Sequence, residues 1–491
     1  MEGWPRLGFL EGLPACPEDL RRLRLHRLAR LEIGGRSAQD AGDRLAPLRV
    51  AGGDRGAAAV NLQLLVRRLP GVVPVAIQLL LLKERLRTGV AFNPLSAKYR
   101  EDPYPKLKQL RDQDPVHWME LTGAWQFTRY EDVMSILRDP RFSADREPPE
   151  TGLIDHELVK QSEFVQMFQE NLLGLDPPDH TRLRNLVNKA FTPRVVAELE
   201  PRIREITAEL LDEAEARAAA NGREIEVMKD LAEPLPVIVI SEMLGVPAED
   251  RGRFRKWSYD LARALDPLFE REVLDNADRA VRELKEYFRP LVKQRREHPG
   301  DDLISALVRA EEEGDRLSEE ELYAFCILLL GAGSETTTNL IGNGLLALMR
   351  QPDQLDRLRD DPSLHESAIE ELLRFDCPVQ ITSRVAMEEI EIGGRTIHAG
   401  DFLVLSLAGA NRDPEQFADP DRLDIGRQEN RHLSLSSGSH YCLGAPLARL
   451  EGRIAITSLL DRFPEARLAT EQVQWREMIT LRGLTALPLS V

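Results

Sequence analysis

The sequence predicts a mainly α-helical chain with a small β lobe. Amphipathic stretches at residues 194–219, 275–294 and 363–375 repeat apolar residues at helical spacing. Residues 318–350 read as one further helix, longer than the rest. Strand signals are few and short, at residues 125–128, 390–394 and 402–405.

Hydrophobic residues make up 42% of the 491, ample for a large core. The net charge of −17 argues against a nucleic-acid partner. Four scattered cysteines argue against a disulfide scaffold and suit a reducing, cytoplasmic setting.

From the N-terminus, residues 1–59 are rich in Arg, Ala, Gly and Leu. They have no cationic start followed by an apolar core, as a signal peptide would, and they are not acid-poor, as a transit peptide would be. Residues 72–82 are apolar apart from Pro74 and Gln78, and Lys83, Glu84, Arg85 and Arg87 follow. Eleven residues are too few to cross a bilayer as a helix. Residues 72–87 either touch a membrane surface peripherally or pack against the body.

Residues 318–350 start on a capping box, Ser318 with Glu321, and stop before Pro352. Their centre, Gly331-Ala332-Gly333-Ser334-Glu335-Thr336-Thr337-Thr338, is poor helix interior. A bulge is expected there, exposing the acid–alcohol pair Glu335-Thr336 to a cavity. Glu389-Ile390-Glu391-Ile392 alternates and runs into Gly393-Gly394, a hairpin signal.

Cys442 is the most telling residue. It lies in Ser436-Ser437-Gly438-Ser439-His440-Tyr441-Cys442-Leu443-Gly444, which leads into a helix-forming stretch. Free N–H groups at a helix start favour a thiolate, and a lone thiolate can serve as the axial ligand of a haem iron. An inert cysteine or a zinc ligand are the alternatives. Zinc favours paired ligands, and Cys16, Cys326 and Cys377 are distant and unpaired.

This loop resembles the haem-binding signature of the cytochrome P-450 family, Phe-Gly-x-Gly-x-His-x-Cys-x-Gly followed by Leu-Ala-Arg. Gly438, His440, Cys442, Gly444 and Leu447-Ala448-Arg449 match, while Leu435 and Ser436 stand where the family has Phe and Gly. Ala332, Gly333, Glu335 and Thr336 resemble the oxygen-activation motif. Glu371 and Arg374 resemble the Glu-x-x-Arg fold anchor, with Arg422 at the place of the arginine that closes it. His180 and Arg184 resemble the His-x-x-x-Arg of a helix beside the haem, and Arg384 the matching strand arginine.

The resemblance covers residues 91–491 and implies a cytochrome P-450 fold, with residues 1–90 as an extension. It implies heme b (iron protoporphyrin IX), with Cys442 on the metal and His180, Arg184, Arg384 and His440 as cofactor-binding donors. Glu335 and Thr336 would be catalytic, the threonine holding a water and the acid relaying protons. The activity implied is insertion of one atom of O2 into a small lipophilic substrate. A peroxygenase driven by H2O2 and a non-catalytic haem-binding module are the rivals. No redox domain is recognisable in the sequence, so electrons are expected from a ferredoxin-type donor with its NAD(P)H reductase. Arg182, Arg184, Lys189, Arg194, Arg449 and Arg453 are either its docking face or ordinary helix surface. Residues 161–173, 328–332, 379–381 and 479–480 are expected near the substrate. The four hydroxyls of Ser434, Ser436, Ser437 and Ser439 are expected near the sulfur.

Overall fold

The structure is a computed structural model, and it describes residues 73–145, 156–220, 222–266, 271–310 and 316–491. The chain divides into two units, Met1–Ala59 and Val60–Val491. The first unit and residues 60–72 lie outside the described residues, and so do the expectations that fall on them.

The larger unit is mainly helical. Its principal helices are α1 (Val73–Thr88), α2 (Tyr130–Arg138), α3 (Asp179–Ala190), α4 (Glu200–Ala220), α5 (Pro234–Met243), α6 (Arg251–Arg263), α7 (Arg271–Glu297), α8 (Glu319–Met349), α9 (His365–Phe375) and α10 (Ala445–Arg462). The amphipathic stretch expected over 194–219 is broken. A short helix, Pro193–Glu198, ends at Leu199 and α4 begins afresh. Pro201 explains the restart, since proline has no N–H to give and is tolerated only in a first turn.

α8 runs through the middle of the helical body. Its capping box is present as expected, with Ser318 Oγ accepting from Glu321 N and the Glu321 carboxylate accepting from Ser318 N. The expected central bulge is absent: all 31 residues stay helical. The hydroxyls of Ser334, Thr336 and Thr337 instead turn back and donate to the carbonyls of Leu330, Ala332 and Gly333, at 2.9, 2.8 and 3.1 Å. The glycines serve packing. A Cβ at Gly331 would come within 3.2 Å of Leu261 on α6, and one at Gly333 within 2.8 Å of Ile240 on α5. They let two neighbouring helices approach; they do not open the helix.

The β portion is small. Ten strands are described: β1 (Val116–Met119), β2 (Ala124–Phe127), β3 (Phe142–Ser143), β4 (Glu224–Glu226), β5 (Ile381–Ala386), β6 (Ile390–Ile392), β7 (Arg395–Ile397), β8 (Phe402–Ser406), β9 (Arg467–Leu468) and β10 (Pro488–Ser490). The main sheet has the order β1-β2-β8-β5-β3, with β2 and β8 parallel and the other pairs antiparallel. β4-β10-β9 and the β6–β7 hairpin complete the set. Gly393 and Gly394, at φ +56° and +73°, form the two-residue turn of that hairpin.

Glu371 and Arg374 on α9 are completely buried and make a bidentate pair at 2.7 and 2.8 Å. The arginine that closes it is not Arg422. The Arg422 side chain is exposed, and only its backbone carbonyl meets Arg374. Arg427 donates to Glu371 at 3.1 Å, with help from Asn430 at the same distance. Arg374 also holds the carbonyls of Asn411 and Pro420, so one ion-pair cluster fastens the segment leading to Cys442 onto α9. Next to it, Glu370 takes Arg449 of α10 in a bidentate pair and also meets His432. Burial alone would raise the Glu370 pKa; His432 and Arg449 outweigh it and hold the carboxyl down at about 2.

Candidate functional site

Cys442 sits between a short 3-10 turn, Gly438–His440, and the first turn of α10. The loop holds itself by backbone bonds: Ser436 N donates to Leu433 O and Cys442 N to Leu435 O, at 2.8 and 2.9 Å. Two residues adopt left-handed backbone. Gly438 has φ +70°, and a Cβ there would lie 2.5 Å from the Leu137 carbonyl on α2. Ser436 has φ +63°, so the position where the family pattern has glycine is one where the backbone favours it.

Cations and imidazole rings from three elements come together on one side of the cysteine loop. Arg184 of α3 donates to the carbonyl of Tyr441 at 2.8 Å, close enough that its charge acts on the Cys442 sulfur. The rings of His180 and His440 lie 4.2 Å apart. Arg384, on β5, is 3% exposed and donates to the carbonyl of Ser383 at 2.7 Å. Burial pulls its guanidinium down to about 10, with Asp176 opposing. Burial first, then Arg184 and Arg384, also lower His180. The structure thus gathers all four expected donors on the Cys442 side.

These residues fit an anionic cofactor. His180 is 2% exposed, and its Nε2 is buried with no hydrogen-bond partner. Leaving such an atom unpaired is costly, so it calls for a partner that the described residues do not supply, and with the proton on Nε2 that partner is an acceptor such as a carboxylate. A Cβ on Gly444 would meet, apart from its chain neighbours, only the Cys442 sulfur, at 4.0 Å, so no side chain from elsewhere in the fold fills the space beside Gly444. Burial raises the Cys442 pKa, while N–H groups of Gly444 and Ala445 and the charges of Arg184 and Arg449 lower it. Those same groups would stabilise a metal-bound thiolate.

Four hydroxyls near the sulfur were expected, and two are committed elsewhere. Ser434 Oγ donates to Leu373 O at 2.6 Å and accepts from Asn411; Ser437 Oγ accepts from Arg138 Nε at 2.9 Å. Leu435 is 8% exposed and packs into the core, so the site is not left open where the pattern has Phe.

Glu335 and Thr336 project from α8 in different directions. Thr336 is half-buried. Glu335 is buried and pairs with Arg476 at 2.5 Å. Arg476 pairs in turn with Glu233 at 2.8 Å, and Glu233 with the exposed Arg255. Burial raises the Glu335 pKa, Arg476 lowers it and Glu233 raises it; the net direction is upward. Nothing in the sequence pointed to Arg476 or Glu233, which lie 141 and 102 positions from Glu335 and in no repeating pattern.

Of the segments expected near the substrate, 161–173 is largely helical. Ser162 caps a helix, Glu163–Gln169, that buries Phe164 and Met167. Residues 379–381 and 479–480 meet, with Gln380 N donating to Thr480 O at 2.8 Å. The buried Asp266 carboxylate accepts from the N–H groups of Ile479 and Thr480, and its pKa is raised to about 6, chiefly by burial. Most cations considered as a docking face are paired inside the chain: Arg182 with Glu321, Arg194 with Glu198, Arg449 with Glu370 and Arg453 with Glu200.

Residues 155–485 match the family model "Cytochrome P450". Among curated proteins, the polyketide biosynthesis cytochrome P450 PksS of Bacillus subtilis (strain 168) is 42% identical over 412 residues, 82% of this chain and 98% of that protein. The vitamin D(3) 25-hydroxylase of Pseudonocardia autotrophica is 43% identical over 404 residues, 81% of this chain and 95% of that protein. Among solved structures, P450BioI in complex with an acyl carrier protein ligated to hexadec-9Z-enoic acid superposes with a TM-score of 0.74. It is 38% identical, and the match covers 81% of this chain and 100% of that one. The fold, the arrangement around Cys442 and these likenesses agree: the chain belongs to the cytochrome P450 family, whose haem-thiolate monooxygenases it resembles along most of its length.

Proposed function

We propose that residues 91–491 form a haem domain that binds heme b through Cys442 and hydroxylates or epoxidises a small lipophilic substrate. Electrons come from a ferredoxin-type donor with its NAD(P)H reductase, in the cytoplasm. The observation that carries this reading is the convergence of His180, Arg184, Arg384 and His440 on the Cys442 side, with His180 Nε2 buried and unpaired. These four residues would hold the two propionates, and Cys442 the iron. The haem, when bound, supplies the activation of O2, one atom entering the substrate and the other leaving as water after two electrons and two protons are delivered.

The protein's part is to deliver those protons and exclude excess water. The Thr336 hydroxyl donates its proton to the Ala332 carbonyl, which turns its oxygen lone pairs outward to hold a water. Glu335 holds a proton more readily than an exposed carboxylate, because burial disfavours its charge. The ion-pair chain Glu335–Arg476–Glu233–Arg255 leads outward to an exposed side chain and orients Glu335; its two arginines keep their protons, so water carries protons between solvent and the Glu335 carboxyl. For the substrate, fatty-acyl and polyketide-like compounds, free and carrier-bound, are the first to screen, because PksS is named for polyketide biosynthesis and P450BioI was solved with an acylated carrier protein.

Turnover assays test this. Wild type should need O2 and a donor and work poorly with H2O2 alone. Thr336→Ala should release more peroxide per substrate oxidised, and Glu335→Gln should slow turnover and change the solvent isotope effect. Unchanged coupling and rate in both variants would remove these residues from the mechanism.

A further inference from the structure

α1 presents an unusual outer surface. Val75, Leu79, Leu82 and Leu86 are 56%, 62%, 43% and 74% exposed, and they account for four of the seven large exposed apolar side chains among the described residues. Their spacing of four, three and four places them in one stripe about 60° wide. Lys83 and Arg87 flank that stripe on one side and Arg85 on the other, all three exposed.

The opposite side of α1 is fixed. Glu84 points directly away from the stripe and is completely buried. Its carboxylate accepts from Phe92 N, at 2.5 Å, from Glu120 N, at 2.9 Å, and pairs with His117 Nε2 at 2.9 Å. His117 is held in turn by Asp114 at 2.9 Å, and Asp114 by Arg395. A buried cluster therefore fixes the orientation of a helix whose outer side has no partner among the described residues.

The charge argues for what covers it. Residues 60–88 carry five cations, Arg67, Arg68, Lys83, Arg85 and Arg87, and a single acid, Glu84, which is turned inward. The whole chain is at −17. Glu120 pairs with Lys83 and Arg87 and offsets part of the charge; Arg85 has no ion pair among the described residues. A second copy of the same helix would set like charges against like. An anionic lipid surface receives leucines between cations without that conflict. At 16 residues, about 24 Å, α1 is too short to cross a hydrocarbon core of about 30 Å, so it would lie in the surface plane.

We propose that Val75, Leu79, Leu82 and Leu86, flanked by Lys83, Arg85 and Arg87, dock the protein on an anionic lipid surface.

Co-sedimentation of the full-length, haem-loaded protein with vesicles tests this. It should sediment with phosphatidylglycerol–phosphatidylcholine vesicles, less so with phosphatidylcholine alone, and less as salt is raised. Leu79→Glu with Leu86→Glu should weaken partitioning at least about tenfold, since two buried leucines and a charge penalty are at stake. Arg85→Glu should weaken it further at low salt than at high salt. The reduced carbon monoxide spectrum of each variant should match wild type, because the substituted side chains are exposed. No sedimentation with phosphatidylglycerol vesicles, or equal sedimentation of wild type and the leucine variant, would overturn the proposal. So would a wild-type dimer that becomes monomeric in the leucine variant, since the stripe would then belong to a second copy.

Discussion

Ser436 shows how a single backbone angle connects sequence to stability. The left-handed φ of +63° costs a non-glycine residue on the order of 1–2 kcal/mol. Ser436→Gly should relieve most of that, less the entropy glycine loses on folding. The expected outcome is a stabilisation of about 1 kcal/mol, a rise in the thermal midpoint of roughly 1–2 °C at this chain length, and slower loss of the thiolate spectrum on mild heating. A midpoint equal to or below wild type would mean the serine is accommodated without strain. Removing the Ser434 or Ser437 hydroxyl should hardly move the reduction potential, because both, expected beside the sulfur, are bonded to Leu373 and Arg138 instead. Leu435→Phe is a different matter, since Leu435 already packs into the core and a larger ring must displace neighbours. At this scale the sequence was most informative where a residue type is chemically singular. Cys442 and His440 could be placed from a pattern of a few letters. Which hydroxyl bonds what could not, because each choice depends on partners such as Arg138, nearly 300 positions away.

The helices after and before the cysteine carry ionisable groups with opposite effects on stability. Glu451 of α10 is 1% exposed, its Oε2 has no hydrogen-bond partner, and burial raises its pKa to about 8. A carboxyl whose folded pKa lies above its unfolded value of about 4.3 binds more protons in the native state. Its neutral form therefore costs little at pH 5, and stability falls as pH rises from about 4.3 towards 8. Glu451→Gln should flatten that fall: the variant should gain on wild type between pH 5 and pH 9, by an amount on the order of one to a few kcal/mol. Denaturant unfolding at pH 5, 7 and 9 measures it, and parallel curves for the two proteins would show that Glu451 is solvated or paired. Glu370 acts in the other direction. Its depressed pKa of about 2 supplies stability that is present above pH 4.3 and lost as pH falls through the acid range. Element types were legible from periodicity and caps: the capping box of α8 and the Gly393-Gly394 hairpin stand as read. The expected bulge in α8 failed for a tertiary reason. Propensity counts glycine and β-branched residues against a helix, but Leu261 and Ile240 pack onto those glycines and the hydroxyls return to the helix's own carbonyls. The misassigned Arg422 has a similar cause. Five residues separate it from Arg427 in one irregular loop, and only the folded path of that loop decides which guanidinium reaches Glu371.

At the scale of the molecule, one long buried helix, α8, packs against α9 and α10, and the cysteine loop leads directly into α10. α8 passes by length and composition for a membrane span, yet 72% of its apolar window is buried inside the protein. Its apolar character is that of a core helix. The short motifs were legible because each is local. The ion-pair chain from Glu335 to Arg255 was not, because it joins four segments that only the fold brings together. Cys442, as the iron's ligand, is what would turn this body into a haem-thiolate enzyme. The reduced protein under carbon monoxide tests that role most directly. Wild type should show the red-shifted Soret band of a thiolate-ligated haem, and Cys442→His should lose that band even where haem is retained. A thiolate spectrum surviving in Cys442→Ala would contradict the assignment, and with it the cofactor-binding roles of His180, Arg184, Arg384 and His440.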